Sequence, residues 1–374
     1  MILYATIALV SILLAMFVDN KCVKLQYGFS RQQVLNALSL MSVFLLLFAV
    51  SALRLNVGND YAKYVEYFHL IRCKLDTPTV VPTEFGFNAV CILIYLLSGR
   101  TENFLLMFAV FAFFTILLFL RGIYIQADSF AFSFFLFMCM GYYFQSFNTV
   151  RYYFALAIAL CSIPYILNRE WVKFILMILL GATFHKSLLL VIPLYFLASL
   201  TYKKWQLGIM LAFASTFLFL KDYYLKLFLL VYPTYEKTEY LEGGTSLVNI
   251  ARCAAVLVFS LLMYNKTVKH SARNRFYFYC NLGALVMYIC CSFLPAIGRV
   301  GYYLNITHIF FIPALIGGIE NKRLRMAVKY ATIAGMVLYF AIFLLTKAGA
   351  DGLRILPYQT FLYHEMVPIL SDVS

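Results

Sequence analysis

Residues 103–120 read NFLLMFAVFAFFTILLFL, a run with no charge in which Asn103 and Thr115 are the only polar side chains. An apolar run of this length matches the hydrocarbon thickness of a bilayer in helical form. A second run, 130–147, FAFSFFLFMCMGYYFQSF, follows after one short polar break. Outward in both directions the same texture repeats, at 2–18, 33–53, 150–167, 171–184 and 187–200, then at 205–220, 247–264, 276–294, 301–319 and 328–346. The runs are continuous rather than alternating, which excludes the strands of a barrel. Helices are the form that satisfies its own backbone within lipid. The reading is an all-α polytopic membrane protein with about 12 transmembrane helices. A further run, 85–98, has only about two-thirds of a crossing's length and reads as a half-helix.

Composition agrees. Of 374 residues 64% are hydrophobic and 12% charged, where soluble domains carry about 25% charged residues. The N-terminal run, 2–18, has no basic region before it and no small-residue cleavage site, and reads as a retained helix rather than a signal peptide. The nine cysteines are scattered, without a CxxC pair or Cys/His ligand spacing, so neither a metal nor a disulfide framework is expected. The whole chain, 1–374, reads as one membrane domain.

The formal net charge of +14 does not point to nucleic acid, because the basic residues fall in short clusters between apolar runs. They mark cytoplasmic loops. Lys21, Lys24 and Arg31 place the first connection inside; Arg169 with Lys173, Lys203 with Lys204, 265–275 and 320–329 mark later turns. The two ends of the chain agree only if 85–98 does not cross. On that topology the cytoplasmic side holds 16 basic and 4 acidic residues, and the outer side 14 and 12. Three polar or aromatic stretches then lie outside: the loops 54–84 and 221–246, and the amphipathic tail 347–374. An interfacial helix and a mobile Gly-Gly turn are expected in 221–246.

Ionisable residues at the ends of apolar segments are the functional candidates. Arg151 opens the segment 150–167, Arg299 stands between two glycines beside Tyr302 and Tyr303, and Arg54 ends the second segment on the same side. Snorkelling to headgroups is the alternative for any one of them. Together they suit a pyrophosphate, whose oxygens a guanidinium pairs bidentately. His185, next to Lys186 and Ser187, is either a structural histidine or a base for a hydroxyl proton. Asp60 and Glu84 are the carboxylates of the outer loop, and each also stands where a helix N-cap would. A phosphate-binding Gly-rich loop, HExxH and GxSxG are all absent from the sequence, and no carboxylate-lined midplane path of a proton-coupled carrier is apparent.

In order along the chain, GNDYAKYVEYF (58–68), EFG (84–86), RYYFALAIAL (151–160), FHKSLLLVIPL (184–194), GRVGYY (298–303) and PYQTFL (357–362) resemble the EpsG family of Wzy-type polysaccharide polymerases. RYY departs from the expected Arg followed by a polar residue, which leaves the role of Tyr152 open. The resemblance implies a membrane glycosyltransferase similar to the C-type fold, in the bacterial cytoplasmic membrane with its active site facing outside. Its substrate would be oligosaccharide repeat units on undecaprenyl pyrophosphate, joined for O-antigen, capsule or exopolysaccharide, with neither cofactor nor obligatory metal. A chain-length regulator is a possible partner. In this scheme Arg151 and Arg299 hold pyrophosphate, assisted by Arg54 or Lys186. His185 is the base, with Asp60 or Glu84 orienting or replacing it, and Tyr61 and Tyr302 contact sugar or lipid. The loop 221–246 would close as a lid. The alternatives are a flippase of the same lipid-linked unit and a glycan acyltransferase.

A cysteine placed at position 185 separates the last of these. The expected outcome is labelling by a membrane-impermeant maleimide from outside intact cells. Labelling only from the cytoplasmic side, where acyl-coenzyme A enters, would favour the acyltransferase.

Overall fold

The computed structural model describes residues 1–22, 28–75, 82–231, 244, 246–294 and 297–364. Among them the regular structure is helical, and the one strand-like pairing is an isolated antiparallel bridge between Arg54 and Thr360. The expected all-α class is what the chain adopts. It forms two compact units, one of Met1–Cys161, Leu179–Lys186 and Met326–Ser374, the other of Ser162–Ile178 and Ser187–Arg325.

Fewer helices are long enough to cross a bilayer than the apolar runs suggest. By length and composition five qualify among the described residues: Arg31–Ala52, Phe104–Gln126, Val150–Leu167, Ile297–Gly317 and Lys322–Thr346. A sixth results if Lys204–Phe219 and Lys221–Leu230, bent by 87° at their junction, count as one span. Several apolar runs are broken. The run 130–147 ends its first helix at Cys139 and restarts at Tyr142, because Gly141 takes φ +79°, a left-handed turn that helix cannot continue through. The run 187–200 begins as a 3₁₀ turn, Lys186–Leu190, before becoming α-helical. Phe85–Leu97 has 13 residues and reaches about 20 Å, about two-thirds of a crossing, as expected of it. The helix expected within 221–246 is present as Lys221–Val231. Residues 232–243 and 245 of the loop 221–246, which was expected to close as a lid, lie outside the described residues.

In the first unit, Ile2–Ala15 packs on Arg31–Ala52 and on Phe130–Cys139, Arg31–Ala52 on Phe104–Gln126, and Tyr61–Cys73 on Phe85–Leu97. The Arg31–Ala52 helix starts in a capping box: Ser30 Oγ accepts from Gln33 N at 3.1 Å, and Ser30 N donates to Gln33 Oε1 at 2.8 Å. Its buried face mixes polar and apolar side chains, with Val43 and Leu47 among the latter, while its exposed face is mainly apolar. Asn36, Ser39 and Ser51 are buried while Leu38, Met41 and Leu45 are exposed. In water the exposed residues would leave apolar area uncovered; in lipid they are where they are stable.

In the second unit Ala272–Cys290 is the central helix, contacting Val191–Ser199, Lys204–Phe219, Leu247–Leu262, Ile297–Asn305 and His308–Gly317. A buried polar network runs through it. His308 Nε2 lies 2.7 Å from Asn281 Oδ1, Asn281 Nδ2 donates to the Cys253 carbonyl at 3.1 Å, and Asn305 Nδ2 donates to Tyr288 Oη at 2.8 Å. Polar groups inside lipid find partners in one another, although His308 Nδ1 has none among the described residues.

In the first unit the tail forms no helix over 348–364. It runs instead as a strap that supplies partners for the loop after Ala52. Leu55 N donates to the Gln359 carbonyl at 3.0 Å, Gly58 N to Arg354 at 2.9 Å and Asn59 N to Leu353 at 3.0 Å. Two tyrosines fasten it: Tyr4 Oη donates to the Ile355 carbonyl at 2.6 Å and Tyr358 Oη to Val50 at 2.9 Å. Gly58 is required at the crossing. Its φ is +104°, and a Cβ there would collide with the Phe147 carbonyl and stand 3.0 Å from Asn148 Cα. Gly58→Ala is therefore expected to destabilise by at least about 1–3 kcal/mol, read as a lower Tm in detergent. Gly208→Ala is the control: it lies in open space on a helix, where alanine gains about 0.5–1 kcal/mol.

Candidate functional site

The loop 53–60 and the helix after it carry three of the expected site residues. Arg54 is 1% exposed. Its guanidinium donates to the Ser51 carbonyl and, at 2.8 Å, to Ser51 Oγ. The Phe108 and Phe147 rings lie 4.9 and 5.2 Å from its central carbon. Burial lowers its pKa, opposed by Tyr61, Tyr143, Tyr4 and Tyr358 around it. This arginine is enclosed and holds the loop. A cavity of about 10 Å³ borders it, and a second of about 10 Å³ adjoins along Thr115, Ile116 and Ser146. Each has room for about one water molecule.

Tyr61 is also enclosed, 2% exposed, with its ring stacked 4.3 Å from Phe108; burial pushes its pKa up to about 12. Asp60 precedes the helix Tyr61–Cys73, yet its side chain makes no capping bond. The carboxylate lies 3.8 Å from Lys63 Nζ instead. Its backbone N–H donates to Asn148 Oδ1 at 3.0 Å, and Asn148 Nδ2 donates to the Gly352 carbonyl at 3.1 Å. Asn148 thus joins the Asp60 turn to the tail strap, two residues before the helix that carries Arg151.

Arg151, Glu84, His185 and Lys186 come together at a second place in the same unit. Glu84 Oε2 pairs with Arg151 Nη1, and its Oε1 accepts from the Lys186 backbone N–H at 3.2 Å. Glu84 stands at an N-cap position but makes no capping bond; its carboxylate is engaged by the arginine. Three rings surround the guanidinium carbon: Phe87 at 5.3 Å, Tyr67 at 5.6 Å and Tyr64 at 5.7 Å. Tyr64 Oη accepts from the Arg151 backbone N–H at 3.4 Å, and burial raises the Tyr64 pKa. The His185 ring meets Tyr152 edge to face at 5.5 Å.

The local backbone explains the meeting. Helix Trp171–Ala182 ends in tight turns, with Thr183 N donating to Leu180 and His185 N to Gly181. This turn docks on the start of Phe85–Leu97 through Gly86 N, which donates to the Thr183 carbonyl at 2.7 Å. A Cβ on Gly86 would collide with Thr183. Glycine in the EFG triplet therefore sets the approach that lets Glu84 reach both Arg151 and Lys186. Cation, carboxylate, imidazole and aromatic faces in one place can bind an anionic group, present ring surfaces to a sugar and accept a proton.

Arg299 and Tyr302 lie in the second unit, on Ile297–Asn305, both half-buried. That helix is anchored within its own unit by Tyr195 Oη, which donates to the Tyr303 carbonyl at 2.6 Å, and by Ser187 Oγ, 3.1 Å from Tyr303 Oη. Gly301 admits Tyr288 where a Cβ would collide. Among the described residues no group of three or more His, Cys, Asp or Glu side chains could hold a metal ion.

The model of the EpsG family matches residues 37–360. This chain belongs to the EpsG family. The matched stretch takes in Arg54, Asp60, Glu84, Arg151, His185, Lys186 and Arg299, and membership supports a role like that of a membrane polysaccharide polymerase. No curated protein and no solved structure is significantly similar to this EpsG-family chain.

Sequence reasoning missed the aromatic cage of Tyr64, Tyr67 and Phe87, the link through Asn148, and the buried Asn281–His308 contact. The spacing of Tyr64 and Tyr67, three apart on one helix face, was a usable signal for the first. His308 was one as well, since an ionisable residue inside an apolar helix is a candidate by default.

The Arg151–Glu84 pair is expected to show strong coupling. Removing one partner leaves a half-buried charge without its counter-charge. Glu84→Gln and Arg151→Gln should each lower stability, and the double variant should lose less than their sum, with a coupling of about 1–3 kcal/mol. Thermal unfolding of the four proteins in detergent measures it.

Proposed function

We propose that this chain is a membrane glycosyltransferase that polymerises oligosaccharide repeat units carried on a lipid pyrophosphate. The carrier expected is undecaprenyl pyrophosphate, and the face is the outer side of the bacterial cytoplasmic membrane. The observation that carries the reading is the fixed Arg151 guanidinium, paired with Glu84 in a cage of tyrosines and phenylalanine, beside Lys186 and His185, in a chain of the EpsG family.

In this mechanism an acceptor hydroxyl oxygen bonds to the anomeric carbon of the growing chain as the bond to pyrophosphate breaks. The hydroxyl proton passes to the His185 imidazole. Charge that develops on the departing pyrophosphate is stabilised by Arg151, beside the turn whose Lys186 backbone Glu84 holds; Arg299, in the second unit, is a separate candidate for binding an anionic group. Glu84 acts mainly by holding Arg151 in place, since its carboxylate is already engaged. Asp60, on a turn braced by Asn148 and the tail strap, is the alternative carboxylate for orienting the acceptor. Arg54 and Tyr61 support that turn from within. The energy of the step is in the glycosyl-pyrophosphate bond, so no nucleotide is required.

The test is glycan analysis in a strain lacking the gene, complemented with wild type, Arg151→Ala or His185→Ala at matched protein level. Loss of one electrostatic stabiliser of this kind costs about 10²–10³ in rate, so the ladder of long polymer should collapse to single repeat units. If single units instead accumulate on the cytoplasmic leaflet, the chain is a transporter. Persistence of long polymer in both variants would remove the two residues from the mechanism.

A further inference from the structure

Away from Arg151, the same unit holds a cysteine, a histidine and a carboxylate in line. On helix Tyr61–Cys73, His69 and Cys73 are one turn apart, and Cys73 Sγ lies 3.6 Å from His69 Nε2. The other ring nitrogen, Nδ1, lies 3.0 and 3.2 Å from the two carboxylate oxygens of Glu102. Glu102 precedes the next long helix, so the contact crosses between segments. A carboxylate on Nδ1 holds that nitrogen protonated and leaves Nε2 as the acceptor that faces the sulfur. This is the order nucleophile, base, orienting group that activates a thiol.

The surroundings narrow what such a thiol does. A metal ion is not accommodated, because sulfur and carboxylate engage opposite ring nitrogens. Acyl transfer is disfavoured. Cys73 is the last residue of its helix, where carbonyl oxygens rather than N–H groups are free, so a tetrahedral oxyanion would meet negative dipole ends. Thiol–disulfide exchange develops no oxyanion. Its negative charge stays on sulfur, and Arg72, with Nη1 3.9 Å from Cys73 Sγ and Nε 4.0 Å from Glu102 Oε1, offsets the helix end. Cys73 is half-buried, and Lys74 and Leu75 after it are exposed.

We propose that Cys73 is a reactive thiol that forms a mixed disulfide with low-molecular-weight disulfides, with His69 as its base and Glu102 as the residue that positions His69. The thiol proton moves to His69 Nε2 as the Cys73 sulfur attacks one sulfur of the incoming disulfide. The disulfide's S–S bond breaks, and the departing thiolate takes the proton from the imidazolium. Cys73 is oxidised to the mixed disulfide and the other half leaves as a reduced thiol. The physiological supply of disulfide rests on the topology used in the proposed function, which puts this helix outside, where disulfides persist. The chemistry of the site does not depend on it.

The test uses the full-length protein in detergent, exposed to oxidised glutathione at neutral pH, with each cysteine's adduct followed by peptide mass spectrometry. Cys22, also half-buried, is the internal reference. Cys73 is expected to be modified about tenfold faster than Cys22, and both His69→Gln and Glu102→Gln should bring its rate down toward the reference with the circular dichroism spectrum unchanged. The second variant keeps the test decisive if the first fails to fold. Modification of Cys73 no faster than Cys22, or a rate that neither variant changes, overturns the proposal. Glycan output is not read, so the result stands apart from whether the polymerase reading holds.

Discussion

A guanidinium drawn out of water has to recover its solvation from protein groups, and Arg151 does so with one carboxylate and three aromatic rings. The charge pair alone would be weak evidence for stability, since desolvating two ions costs much of what their attraction returns. Its consequence is geometric. Glu84 can reach Arg151 only because Gly86 lets the start of one helix lie on the turn at Thr183, and the same carboxylate then holds the Lys186 backbone. Three segments far apart in the chain are brought to one place by that requirement, and the imidazole of His185 arrives with them. Arg54 meets the same demand differently, with the Ser51 oxygens and two phenyl faces, and so is spent on structure.

A second constraint is that backbone groups removed from water need partners. The loop after Ala52 finds them in the tail, whose carbonyls at 353, 354 and 359 receive its N–H groups. The strap in turn depends on Tyr4 and Tyr358 for its own anchoring. Asn148 reads both sides, accepting from Asp60 and donating to Gly352. The position of the Asp60 turn is therefore decided by both ends of the chain. A carboxylate on a loop would otherwise have no defined direction relative to a substrate.

The surface is as apolar as the core, and the core carries scattered polar side chains. Leucines and Met41 cover the outside of Arg31–Ala52, while Asn36, Ser39 and Ser51 are buried behind them beside Val43 and Leu47. In the second unit, asparagine, tyrosine and histidine bond to one another around Ala272–Cys290. With lipid as solvent, apolar contact no longer distinguishes inside from outside. Hydrogen bonds and small-residue packing take over the task of specifying which helix faces which. The left-handed turn at Gly141 and the 87° bend before Lys221 interrupt apolar runs that are continuous in sequence: hydropathy registers that a segment avoids water, and is blind to where its helix stops.

Sequence by itself determined the solvent. Eighteen uncharged positions at 103–120, repeated in kind along 374 residues with 12% charge, admit only a helical membrane protein, because backbone in lipid has no other way to satisfy itself. It also determined the family, through an ordered set of short motifs that the match over 37–360 bears out. The short helix within 85–98 was legible too, since length is a local property. What each charged residue does was not. Arg54 and Arg151 look alike in sequence, each at the end of an apolar run, yet one is sealed between rings and the other caged beside a histidine. Asp60 and Glu84 both read as helix caps and neither caps. Only the tertiary structure separates these cases, because the partner that decides a charge's fate is supplied by residues tens or hundreds of positions away, and no local pattern records which of them will arrive.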